Sequence, residues 1–126
     1  MSAAVSLENL RHTYPAKGKA PAREALKGVS FQAARGETFG LLGPNGGGKS
    51  TTFRILSTYF APTSGAASVL GFDLKTQPAE VRKRIGVVFQ NPSLDAKLSV
   101  EENMRHQGEL YSVPNLAHKI GEPLER

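Results

Sequence analysis

GPNGGGKS, at residues 43–50, has the spacing G-x-x-x-x-G-K-[ST] of a phosphate-binding loop. A triphosphate carries several negative charges, so its site needs many hydrogen-bond donors that converge on a small volume. Glycines at positions 46–48 let the backbone N–H groups of residues 46–51 approach a phosphate closely. The Lys49 side chain can reach the β- and γ-phosphates, and the Ser50 hydroxyl is suited to hold Mg²⁺. The segment therefore predicts a triphosphate site.

The residues on either side of this loop predict a strand before it and a helix after it. Residues 38–42 form a short apolar run of the kind that is buried in parallel sheets. Residues 49–59 follow, with Phe53, Leu56 and Phe60 at helical spacing. The positive end of the helix dipole would then face the phosphates. This order favours a phosphate loop over a flexible glycine-rich turn beside an incidental lysine.

The rest of the chain alternates between strand and helix patterns. Ser99 and Glu102 fit a capping box at the start of one helix, and Pro114 ends it. We predict strands at about 4–14, 29–33, 67–70 and 85–89, a turn at 25–28, an exposed loop at 15–21, and helices at about 78–84, 99–111 and 115–126. The pattern indicates an α/β fold with antiparallel strands at the front.

The composition fits one globular domain. The chain has 126 residues, of which 39% are hydrophobic and 21% are charged. It has no Cys, which excludes disulfides, a thiolate nucleophile and Cys-ligated metals. The histidines His12, His106 and His118 lack metal-ligand spacing and are predicted to lie on the surface. No apolar run is long enough for a bilayer, and the N-terminus has no secretory pattern. The net charge of +5 leaves phosphate ligands, nucleic acid and anionic lipid open as partners.

Four stretches of the chain resemble one family. GPNGGGKSTT at residues 43–52 resembles the Walker A motif of ATP-binding cassette (ABC) transporter ATPases, with Gly47 where Ala or Ser is more usual. LRHTYP precedes it, ALKGVSFQAARGETFGLLG leads into it, and IGVVFQNPSLDAKLSVEENM follows it. The resemblance covers about residues 4–111, which is most of the chain.

The resemblance implies a P-loop NTPase fold of the ABC-ATPase type and the binding of ATP with Mg²⁺. Tyr14 matches the A-loop aromatic that stacks on adenine in the family. Gln90 matches the Q-loop glutamine, which in the family meets Mg²⁺ and the attacking water. The ATP site implied by the resemblance consists of Tyr14, Gly43, Pro44, Asn45, Gly46, Gly47, Gly48, Lys49, Ser50, Thr51 and Gln90. Within it, Ser50 and Gln90 would be the metal ligands.

The family also implies partners and a location. A second ATP-binding subunit would complete a dimer, and a transmembrane permease subunit would couple to the region just after Gln90. The chain would then be cytoplasmic and peripheral at the inner face of the cell membrane, with no nucleic acid as a partner. NPSLDAKLSVEEN, at residues 91–103, is most similar to exporters of the drug-resistance type. The resemblance thus implies that the chain helps to energise transmembrane export.

Three family motifs do not occur in these 126 residues: the signature Leu-Ser-Gly-Gly-Gln, a Walker B strand ending in Asp-Glu, and the switch histidine. VLGFD at residues 69–73 is interrupted by Gly71 and followed by Leu74 instead of Glu. We therefore interpret residues 1–126 as a partial ATP-binding domain, truncated within the helical subdomain, and assign no catalytic residue. We expect this polypeptide alone to show no appreciable ATP turnover, and residues 87–89 to lack neighbouring strands.

Two other functions remain open. One is a half-cassette that binds ATP or a partner subunit without hydrolysis. The other is a soluble ABC protein that acts on nucleic acid or ribosomes, although Lys17, Lys19 and Arg23 look like an exposed loop without interleaved aromatic residues. Small-molecule kinases and GTPases share the phosphate loop, but they do not account for Tyr14 and Gln90.

Overall fold

A computed structural model describes residues 2–91 and 94–124 of the chain. These residues form two compact units, and the division falls between Ile85 and Gly86. The first unit holds an antiparallel sheet with two helices, and the second holds two helices. Each unit is described in turn.

The sheet of the first unit has four strands: β1 (Ala3–Tyr14), β2 (Arg23–Ala34), β3 (Ser64–Val69) and β4 (Phe72–Asp73). Their order is β2-β1-β3-β4, and every neighbouring pair is antiparallel. Leu7 and Leu10 of β1 are both buried, although residues three apart face opposite sides of a regular strand. The register of β1 shifts between them, where Asn9 has a φ of +45°, and this irregularity returns Leu10 to the core side. The antiparallel strands predicted at the front of the fold are therefore present, and β3 begins three residues earlier than predicted.

The turn predicted at residues 25–28 is wrong, because β2 runs through it. Leu26 pairs with His12 across the β1–β2 ladder, and its side chain is fully buried. Gly28 keeps the strand continuous with a φ of +101°, a conformation that glycine adopts without strain. The guanidinium of Arg11 packs 3.3 Å from the position that a Cβ of Gly28 would take. A glycine within a strand thus gave the appearance of a turn.

Two helices accompany the sheet: α1 (Lys49–Leu56) and α2 (Pro78–Arg82). Both are shorter than predicted, and α1 ends before residue 59 because Thr58 adopts a left-handed φ of +63°. The predicted apolar face of α1 is wrong at Phe53, which is 57% exposed, whereas Ile55 is buried. Around Ile55 the core consists of Leu7, Leu10, Leu26, Ala67, Val69, Leu74 and Val81.

The strands predicted at residues 38–42 and 85–89 are also wrong, since neither segment has strand pairing among the described residues. Leu42 and Val88 are each 99% exposed. A parallel strand depends on neighbours on both sides for its hydrogen bonds and for burial of its side chains. The described part of the chain supplies no such neighbours, and the exposed side chains of residues 87–89 agree with the expectation from the sequence.

The second unit contains α3 (Val100–Leu110) and α4 (Leu116–Leu124). The predicted capping box is confirmed: the Glu102 N–H donates to Ser99 Oγ at 3.2 Å, and the Ser99 N–H donates to the Glu102 carboxylate at 2.7 Å. Gly108 permits close packing of the two helices, because a Cβ there would collide with the side chain of Leu116. The last two residues of the helix predicted at 115–126 lie outside the described residues.

Among the described residues, no helix has the length and apolar character needed to cross a bilayer.

Candidate functional site

The phosphate loop is fixed to the sheet by its last glycine. Gly48 precedes α1 with a φ of +91°, and a Cβ there would lie 2.5 Å from the Leu26 side chain and 2.8 Å from the carbonyl oxygen of Ala25. Gly47 is also constrained, since its N–H donates to the Pro44 carbonyl at 3.1 Å. Glycine is therefore needed at position 48 both for the backbone angle and for the contact with β2.

The ammonium group of Lys49 folds back over the loop. It donates hydrogen bonds to the carbonyl oxygens of Gly43 and of Pro44, the latter at 2.9 Å. The Ser50 side chain is exposed in the first turn of α1. The first N–H groups of an α-helix have no partner within the helix, so this end of α1 offers donors as well as a partial positive charge.

A cavity of about 280 Å³ opens above this loop. Two of the predicted loop residues, Gly43 and Gly47, are not among its lining residues. The residues that line it are Arg23, Pro44, Asn45, Gly46, Gly48, Lys49, Ser50 and Thr51. The cavity thus combines backbone donors, two cationic side chains and two hydroxyl groups, a set that suits a polyphosphate with a bound Mg²⁺.

Tyr14 is joined to the loop by its hydroxyl group. The hydroxyl oxygen lies 3.0 Å from Oγ1 of Thr51, within hydrogen-bond distance. The Tyr14 ring meets His12 and Phe60 edge to face, with centroid separations of 4.8 and 5.9 Å. The guanidinium carbon of Arg23 lies over the ring, 5.6 Å from its centroid. The aromatic residue predicted to stack on adenine therefore stands directly beside the phosphate loop.

His12 is buried, so its predicted surface position is wrong. Only 9% of the residue is exposed, and its ring stacks on Phe60 with a centroid distance of 4.5 Å. Its Nδ1 has no hydrogen-bond partner within the described residues, and burial lowers the pKa of the imidazole below its usual value. The side chain is therefore a neutral part of the aromatic packing behind Tyr14. His106 and His118 are exposed, as predicted.

Gln90 belongs to the second unit, where its side chain is exposed. It follows the segment predicted as a strand, and its role toward Mg²⁺ stays a prediction from the motif.

Comparison with protein families gives the same result as the motifs in and around the phosphate loop. The family model described as ABC transporter matches residues 26–125, which is most of the chain. The chain belongs to the ABC transporter family. Its sequence is that of an ABC transporter ATP-binding domain. Its fold is that of the P-loop NTPases, as the resemblance implied.

The sequence of the chain is also similar to those of individual ABC proteins. The chain is 48% identical over 85 residues to the "Probable multidrug ABC transporter ATP-binding protein YbhF" of Escherichia coli, covering 68% of this chain and 15% of that protein. It is 44% identical over 114 residues to the "Doxorubicin resistance ATP-binding protein DrrA" of Mycobacterium tuberculosis, covering 90% of this chain and 33% of that protein. The chain thus spans a third or less of the length of these curated relatives.

Among solved ABC structures, the chain is similar to the "Dimeric structure of a post-hydrolysis state of the ATP-binding cassette MJ0796 bound to ADP and Pi". The TM-score is 0.77 at 27% sequence identity, and the match covers 96% of this chain and 56% of that one. That cassette is a dimer and holds ADP with phosphate.

Sequence reasoning missed one residue of this ABC domain's cavity, Arg23, which was assigned to an exposed loop. A signal was present, because Tyr14 and Arg23 bracket a turn-rich segment between two strands. Antiparallel strands joined by such a segment place their facing ends side by side, and Tyr14 does pair with Arg23. Because a turn is predicted at residues 25–28, the second strand is predicted to begin only at Val29, and the pairing of Arg23 with Tyr14 is missed.

Proposed function

We propose that this chain binds ATP with Mg²⁺ at the Walker A loop and serves as the nucleotide-binding part of an ABC transporter. The observation that carries the proposal is the cavity itself. It brings the Lys49 ammonium, the Ser50 hydroxyl and the start of α1 to one place. Donors converging on a small volume stabilise the dense negative charge of a triphosphate.

Each group has a distinct part in this proposal. Lys49 exchanges the loop carbonyls for the β- and γ-phosphates, since an ammonium forms stronger hydrogen bonds with charged oxygens than with neutral carbonyls. The Ser50 hydroxyl would hold Mg²⁺, and the bound ion would neutralise part of the phosphate charge. Tyr14 would stack on the adenine ring, and Gln90 is proposed as a Mg²⁺ ligand on the match to the Q-loop motif alone.

The same proposal extends to partners. A second ATP-binding subunit and a transmembrane permease would act with this chain at the inner face of the cell membrane. The names of two relatives, a doxorubicin resistance ATP-binding protein and a probable multidrug ABC transporter ATP-binding protein, support export as the direction of transport. In the source organism, replacing Lys49 by Ala in the gene is expected to lower resistance to the exported compound. Unchanged resistance to every compound of a broad drug panel would contradict the export role.

ATP binding is tested by calorimetric titration of the 126-residue chain with ATP and Mg²⁺. Lys49→Ala is expected to weaken ATP binding by roughly ten- to hundredfold, the range for loss of a hydrogen bond to a charged group. Lys75→Ala is the matched control, because it removes the same charge from an exposed position that does not line the cavity. Equal affinities of Lys49→Ala and the unsubstituted chain would refute the proposal.

A further inference from the structure

Arg23 occupies a defined place between two parts of the proposed ATP site. It is the first residue of β2 and pairs with Tyr14, the last residue of β1. Its guanidinium carbon lies 5.6 Å from the centroid of the Tyr14 ring. The same side chain lines the cavity above the phosphate loop together with Lys49 and Ser50. It is therefore the cationic group that connects the aromatic ring with the phosphate cavity.

The charge of Arg23 is not committed to a carboxylate. The adjacent Glu24 forms its ion pair with Arg11, at 2.9 Å. Among the residues that the structure describes, Arg23 takes part in no salt bridge. Its contact with the Tyr14 ring leaves its five N–H donors available to an anion. An exposed guanidinium that lines a cavity and lacks an acidic partner is suited to a charged ligand.

We propose that Arg23 is a nucleotide-binding residue that contacts the α-phosphate and the ribose. This inference rests on the proposed function, because it requires the terminal phosphates on the loop and the base on Tyr14. In that pose the ribose and the α-phosphate span the space between ring and loop, where Arg23 lies. A guanidinium binds phosphate oxygens through two parallel hydrogen bonds, and the same fork can reach a ribose hydroxyl.

Under this assignment, Arg23 and Lys49 contact different phosphates of the nucleotide. Lys49 serves the β- and γ-phosphates, so the γ-phosphate of ATP adds to its contribution. Arg23 serves a phosphate that ATP and ADP share. The loss of Arg23 should therefore weaken both nucleotides by the same factor and leave the preference between them unchanged.

Calorimetric titration of the 126-residue chain with ATP and with ADP, each with Mg²⁺, tests the inference. Arg23→Gln is expected to weaken both nucleotides by roughly tenfold, as the loss of a charge-assisted hydrogen bond predicts. Arg23→Lys should recover part of this loss, since an ammonium keeps the charge without the fork. Lys19→Gln is the matched control, because Lys19 is an exposed cation in the connection that leads into β2 and does not line the cavity. Arg23 is itself exposed, so thermal melting of Arg23→Gln should match that of the unsubstituted chain.

The outcomes distinguish this inference from the function on which it rests. If the unsubstituted chain does not bind ATP, the proposed function fails, and the role of Arg23 fails with it. If the chain binds ATP and Arg23→Gln binds within twofold of it, the role of Arg23 alone is refuted. An equal loss in Lys19→Gln would also refute it, because the effect would then reflect general positive charge near the site. A loss confined to ATP would place Arg23 at the γ-phosphate and overturn the assignment to the α-phosphate.

Discussion

The hydroxyl oxygen of Tyr14 lies 3.0 Å from Oγ1 of Thr51, which joins the end of β1 to the first turn of α1. The residue proposed to stack on the base is thus hydrogen-bonded to the helix that begins at the phosphate loop. A displacement of the ring would break this bond, and a displacement of the helix start would move the ring. The distance between the proposed base and phosphate subsites is therefore held by a direct contact.

Substitution of Tyr14 separates stacking from this hydrogen bond. Tyr14→Phe keeps the ring and should weaken ATP binding only severalfold, because a single neutral hydrogen bond is worth about 1 kcal/mol. Tyr14→Ala removes the ring as well, and stacking of a base on an aromatic ring contributes about 1–3 kcal/mol more. Titration with ATP measures both affinities. Equal losses in Phe and Ala variants would show that stacking contributes nothing.

Replacing Gly48 by Ala is expected to damage the fold as well as the loop. The new Cβ would meet Leu26 and the Ala25 carbonyl, and the left-handed backbone adds a cost of about 1–2 kcal/mol for an L-residue. Thermal unfolding should occur at a clearly lower temperature, and ATP binding should be lost. Gly40→Ala is the control, since a Cβ there has open space and no left-handed φ is involved. Equal melting temperatures for the two variants would contradict the contact between the loop and β2.

His12 should make stability depend on pH near neutrality. Burial lowers the pKa of the folded imidazole below its ordinary value of 6.5, so the unfolded chain binds this proton more readily. The free energy of unfolding should therefore be highest above pH 6.5 and fall as the pH drops from 6.5 to the lowered pKa. Urea unfolding at a series of pH values measures this slope.

Two variants assign that slope to His12. His12→Phe should abolish it while keeping an aromatic ring on Phe60. His106→Gln should leave it unchanged, because His106 is exposed. The lowered pKa values of Asp73, Glu80 and Glu102 affect stability only in a more acidic range, where carboxylates titrate. A slope that persists in His12→Phe would rule out this assignment.

Asn103 is expected to stabilise the conformation of residues 95–99, the segment before α3. Its side-chain amide donates to the carbonyl oxygens of Asp95 at 3.0 Å, Leu98 at 3.2 Å and Ser99 at 3.0 Å, and its oxygen accepts from the Asp95 N–H at 2.9 Å. Asn103→Ala is expected to speed hydrogen exchange of the Asp95 and α3 N–H groups by roughly tenfold, because several hydrogen bonds are lost together. Glu109→Ala, on an exposed part of the same helix, is the control. Unchanged exchange in Asn103→Ala would mean that the capping box alone holds the segment.

Local signals made part of this fold predictable. The capping box of α3 was recoverable because Ser99 and Glu102 satisfy each other within one helical turn. The phosphate loop was recoverable because its glycines, lysine and serine follow a fixed spacing, and alternation made β1 and the second half of β2 recoverable. Each of these features depends on neighbours in the chain.

The features that the sequence did not predict depend on residues far apart in the chain. The strand through Gly28 is maintained by pairing with β1, which the residues around Gly28 do not reveal. Segments 38–42 and 85–89 have strand-like composition, but a strand needs partners, and the described residues provide none. His12 is buried by Phe60, a residue far along the chain, and Arg23 joins the cavity through its register with Tyr14. Contacts with residues far along the chain, or their absence among the described residues, decided each of these cases.

The Lys49 ammonium group already donates hydrogen bonds to the Gly43 and Pro44 carbonyls of its own loop. In the proposed complex the phosphates would compete with these carbonyls, so the affinity would reflect the difference between two sets of partners and not the full attraction of an ammonium for phosphate. The same bonds hold the ammonium group at the cavity where the phosphates are proposed to bind. Any reorganisation that the proposed ligand requires of Lys49 is therefore a cost to be subtracted from its affinity.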